Sequence, residues 1–146
     1  MTDVGKTRLQ QLAQSVLTST DGPHTDSAVL SAAARRAHAN LGQVLVPLIG
    51  QTGTNALTAR AVHLARREHA WLTPTQSLDQ TDMVFELVAA SLERQDPGVA
   101  LEAAATVLAT LAGLLVTFVG ESLTMSLLRT AWPDGFPDAG TEKGRA

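Results

Sequence analysis

Histidine is the side chain best able to bind a metal, move a proton or carry a phosphoryl group near neutral pH, and this chain has four. His63, Glu68 and His69 are close in sequence and invite a metal reading. A helix that binds zinc through two histidines spaces them four residues apart, so that both imidazoles share a face. His63 and His69 are six apart and fall on different faces, and no spacing requires His38 to join them. A phosphoryl-carrying histidine wants basic neighbours, which Arg60 and Arg67 offer His63 and Arg35 offers His38. The same pattern describes a solvated basic face, the commoner case. A globin-like haem pocket suits the length and helicity, yet the chain has three phenylalanines and no distal and proximal histidine pattern.

Other chemistry fails on missing partners. With no cysteine there is no thiolate nucleophile, thiolate metal site or disulfide framework. Gly5-Lys6-Thr7 resembles the end of a phosphate-binding loop but lacks the upstream glycine and the strand. Gly120-Glu121-Ser122-Leu123-Thr124 lacks the second glycine and the strand of a nucleophile elbow, so Ser122 reads as a helix cap or packing residue. The sequence therefore points to no catalytic, cofactor-binding or metal-ligating residue, and an enzyme is not expected.

Charge is more informative. The net charge of −3 gives no general attraction to nucleic acid or anionic membrane. Residues 27–72 carry Arg35, Arg36, Arg60, Arg66, Arg67 and Glu68, net +4, which leaves −7 for the rest. Asp79, Asp82, Glu86, Glu93, Asp96 and Glu102 cluster against Arg94 alone. Such halves can dock within the molecule, between copies or onto a partner. Arg60, His63 and Arg67 form the expected polar contact face. Trp71 and Trp132 are the expected aromatic anchors, Trp being the residue most enriched in interface hot spots, with a lid over the core as the alternative for each.

The elements that would carry these residues are helices. Leu, Val and Ala dominate a hydrophobic fraction of 45%, aromatics make up 3%, and the balance favours helix over strand. Apolar spacing predicts helices over 8–19, 28–46, 55–70, 78–94, 98–119 and 121–132. Asp26 and its neighbours Thr25 and Ser27 can cap the second. Thr73-Pro74 and Asp96-Pro97 read as start signals. Pro47 should kink or break the second helix, and 133–146 should be a frayed tail. The expectation is an all-α, single-domain bundle of five to seven helices over 1–132.

An internal repeat cuts across these helices. At a shift of 70 residues, 44–62 lies over 114–132 with Leu45, Val46, Gly50, Thr54, Leu57 and Ala61 identical. The predicted organisation is two pseudo-symmetric three-helix halves, 9–72 and 79–132, with related junctions at Gly50 and Gly120. A glycine at a junction permits a left-handed helix end or a close crossing.

Residues 103–120 carry no charge and approach the length of a membrane span. Their alanines and threonines, and Glu102 and Glu121 at the edges, fit a bundle's central helix better. Part of this helix, or Leu123 and Leu127 beyond it, is a candidate dimer seam. No secretory signal opens the chain, so the cytoplasm is the expected location. The expected function is a non-enzymatic protein–protein interaction or regulatory module, most simply a homodimer. The alternative is a small-molecule sensor with an apolar pocket between helices.

Overall fold

The computed structural model describes residues 2–19, 26–72 and 84–133. Among them the chain is all-helical: α1 (Thr2–Ser19), α2 (Ser27–Ala65), α3 (Val84–Leu92), α4 (Pro97–Val119) and α5 (Glu121–Ala131). The predicted starts at Thr73-Pro74 and Leu78 and the tail beyond Pro133 lie outside the described residues.

Asp26 caps α2: its backbone is extended and its carboxylate accepts the Ala28 N–H at 2.9 Å, satisfying one donor of the first turn. Asp96 occupies the same position before α4, followed by Pro97, whose missing N–H costs nothing there. α1 begins at Thr2 rather than Arg8, so Gly5-Lys6-Thr7 is helical and forms no loop.

The expected break at Pro47 is a correction. Pro47 lies inside helix, and the one non-helical residue within α2 is Gly50, at φ 81° and ψ 166°. Proline removes one hydrogen bond and can be carried in a last turn, whereas reversing the chain requires a backbone conformation open essentially to glycine alone. The helix resumes at once after Gly50, with no gap between the predicted helices 28–46 and 55–70, and ends at Ala65 rather than Ala70. α2 is thus two arms, 27–49 and 51–65. Gly120, between α4 and α5, has φ 91° and ψ 161°.

α2 and α4 share the most extensive helix–helix contact. Their facing surfaces are rich in alanine: Ala33, Ala34 and Ala37 on α2, and Ala100, Ala103, Ala104 and Ala105 on α4 are all buried. Small side chains let helix axes approach closely, and Leu41, Leu45, Leu108, Leu111 and Leu115 fill the remaining volume. α1 packs mainly on α4, and α3 mainly on α2, giving bundle-like packing. Pro97–Val119 is long and apolar enough to cross a membrane, but 61% of its apolar window is buried within the molecule.

Candidate interaction surface

Two histidines, His38 half-buried and His69 buried, pack between elements of the chain. His38 on α2 stacks face to face on Phe85 of α3, centroids 4.2 Å apart, and its Nε2 is 2.8 Å from Thr58 Oγ1 on the second arm. Thr58 Oγ1 also has Thr54 O within reach at 3.1 Å, so the hydroxyl links the imidazole to the backbone of the second arm. Burial holds the imidazole neutral, lowering its pKa from 6.5 to about 4 against the opposing pull of Glu86.

His69 repeats the scheme. Its Nε2 lies 3.4 Å from Thr106 Oγ1 on α4, and that hydroxyl donates to Glu102 O at 2.8 Å. Gln10 Nε2 donates to Thr106 Oγ1 at 3.3 Å and to Glu102 O at 3.4 Å, which ties in α1. A histidine beside a hydroxyl is the arrangement of a base and its nucleophile. Here each hydroxyl also has a backbone carbonyl within reach, Thr54 O and Glu102 O, and each histidine–threonine contact joins two stretches of the chain.

Arg60, His63 and Arg67 are all exposed, around the end of α2. His63 and His69 are parted as their spacing implied, one exposed and one buried. Among the described residues no three His, Cys, Asp or Glu side chains gather to hold a metal. Trp71 is half-buried, edge-on to His69 at 6.0 Å. Trp132 is only 2% exposed and its Nε1 donates to Ala37 O at 2.8 Å. Its indole is occupied within the chain, pinning the end of α5 to the first arm of α2. The charge asymmetry is partly satisfied inside the molecule: Arg35 on α2 meets Glu86 on α3 at 3.1 Å and Glu93, just past the end of α3, at 3.8 Å.

Three cross-chain contacts fix where the glycine junctions lie. Ser27 Oγ donates to Gln95 O, so α2 and α4 start side by side. From those starts Gly50 and Gly120 are equally far along their helices, about 35 Å at 1.5 Å per residue. Trp132, beyond Gly120, packs at Ala37, a similar number of residues before Gly50, so α5 runs back along the first arm of α2. The contact of His69 with Thr106 returns the chain after the second arm to α4 in the same way. Both junctions therefore sit at one end of the molecule.

That end is apolar and exposed. Phe118 is 69% exposed, Leu48 54%, Leu123 43% and Ile49 38%. Residues 37–59 and 103–120 contain no Asp, Glu, Lys or Arg, and on α5 only Glu121 precedes Arg129. Gln51, Thr52, Thr117 and Ser122 surround the apolar side chains with exposed neutral polar groups.

No family model, curated protein or solved structure matches the chain.

Sequence reasoning did not single out Leu48, Ile49 and Phe118 as exposed, although it named part of the 103–120 helix, or Leu123 and Leu127 beyond it, as a candidate seam. The available signal was an apolar pair directly before each junction glycine, Leu48-Ile49 and Phe118-Val119, within charge-free runs.

Proposed function

We propose that this protein is a non-enzymatic helical interaction or regulatory module that self-associates, and that the end carrying Gly50 and Gly120 is its contact surface. The observation that carries this reading is the concentration of four exposed apolar side chains where α2, α4 and α5 contribute one charge, Glu121. Apolar patches of about 300–600 Å² on monomeric proteins are often functional. An apolar centre inside a neutral polar rim is the ordinary anatomy of a protein interface.

Two related units underlie that surface. Gly50 and Gly120, 70 residues apart, adopt φ and ψ within about ten degrees of each other. Asp26 and Asp96, at the same shift, precede the two long helices. Burial follows the shift as well: Ala34 with Ala104, Leu41 with Leu111, Leu45 with Leu115, Thr54 with Thr124 and Ala61 with Ala131 are buried pairs, and Leu48 with Phe118 an exposed one. In this reading α1 and α3 are counterparts, each lying on the other unit's long helix. Duplication then makes the exposed end a doubled feature.

Sedimentation velocity over a concentration series tests the function. The expected result is reversible self-association that persists at high salt, since apolar contacts are not screened. A single monomeric species at high micromolar concentration would refute it.

A further inference from the structure

We propose that α3 is a releasable clasp on α2, and that protonation of His38 beneath Phe85 frees it while α1, α2 and α4 stay packed. The clasp lies on the first arm of α2, about three turns or more before Gly50, and does not depend on self-association.

α3 meets α2 along one stripe. Ser27, Ser31, Arg35 and His38 follow one another at intervals of four, four and three residues, so they share a helix face. Ser27 Oγ donates to Gln95 O, and Ser31 Oγ donates to Ala89 O at 2.9 Å. Arg35 meets Glu86 and Glu93, and His38 stacks on Phe85. Partner numbers fall as those on α2 rise, so the two helices run antiparallel. The serines hold the C-terminal end of α3, and the histidine holds its first turn.

The dock decides whether α3 is there at all. It has nine residues, against 18 in α1, and an isolated helix that short does not persist in water. α3 packs mainly on α2 and only slightly on α4, whereas α2 with α4 and α1 with α4 make the most extensive contacts. An element held on one side opens locally before the core does.

The histidine stack is the part of the seam that a proton can break. The half-buried ring lies against Phe85 with Thr58 at its Nε2, and burial lowers its pKa to about 4 although Glu86 pulls the other way. Of the other charges on the surrounding elements, Arg35 is paired with Glu86, while Arg36 on α2, Arg60 on the second arm and Arg129 on α5 are exposed. An imidazolium is therefore disfavoured in place, and lifting Phe85 away hydrates it. The released state takes up the proton first, so opening grows as pH falls from 6.5 toward 4. Release also uncovers Phe85, Val88 and Leu92, which are buried in the docked helix.

The test is hydrogen exchange read by mass spectrometry on the full chain and on His38→Gln, at one low protein concentration. Between pH 7.5 and pH 5, protection of residues 84–92, corrected for intrinsic rate, should fall by up to about 25-fold, the ratio for a group that regains its ordinary pKa on release. Residues 103–115 of α4 should change little, and His38→Gln should lose the response. A fall below about threefold in the full chain would overturn the clasp, as would an equal fall in His38→Gln. Equal loss across 84–92 and 103–115 would overturn it too, since the molecule then opens as a whole. Phe85→Leu serves if His38→Gln does not fold. Without the stack, 84–92 should be less protected already at pH 7.5 and respond less to acid; an unchanged profile counts against the proposal.

Discussion

Between pH 6.5 and about 4 the chain should lose stability through His38. Its folded pKa lies below the ordinary value, so the unfolded chain takes up the proton first. The full contribution is present above pH 6.5 and is lost as pH falls toward 4, about 3 kcal/mol at the limit. Urea unfolding at pH 7 and pH 5 should show the decline, and His38→Leu should flatten it; an equal decline in the variant would deny His38 this role. The junction glycines make a second residue-scale prediction. Gly50→Ala and Gly120→Ala should each cost about 1–3 kcal/mol through the strain of their positive φ alone, since an added Cβ would meet nothing within 4 Å at either site. Gly42, helical and equally open, should instead gain about 0.5–1 kcal/mol as alanine. Thermal unfolding of the three variants reads the contrast in sign. Both glycines were legible in the sequence as junctions. The role of His38 was not, because Phe85 and Thr58 reach it only after three helix segments have packed.

At the scale of elements, Trp132 should matter more than its position next to Pro133 suggests. Trp132→Ala removes a buried indole and the hydrogen bond holding α5 to the first arm of α2, and should cost about 3–5 kcal/mol. Arg35→Ala, by contrast, removes an exposed pair with Glu86 and should cost less than about 1 kcal/mol. Denaturant unfolding compares the two directly; similar costs would mean that α5 docks more loosely than its geometry implies. The apolar spacing of α4 and α5 was readable nearly to the residue, because Asp96-Pro97 and Gly120 punctuate them. α2 was misread at Pro47 because local rules weigh proline heavily. The chain instead placed its reversal at the nearest residue able to take φ above +80°.

For the whole molecule, composition and periodicity were enough to read the all-helical class, and charge was enough to see that the halves could dock, as Arg35 does on α3. What the linear chain hid was exposure. Leu48 and Phe118 sit in runs as apolar as those of buried neighbours, and only the packing of α2 against α4 and α5 decides which side chains stay outside. In the self-association proposed above, this exposed end is where one copy meets another. The chain lacks cysteine, so a single introduced thiol reports on that contact cleanly. Oxidation of Ser122→Cys at the junction end, beside Arg67→Cys far from it, is the most direct measurement. Rapid covalent dimerisation of the Ser122→Cys protein, with Arg67→Cys remaining monomeric, is the predicted result; cross-linking through position 67 and not 122 would contradict it.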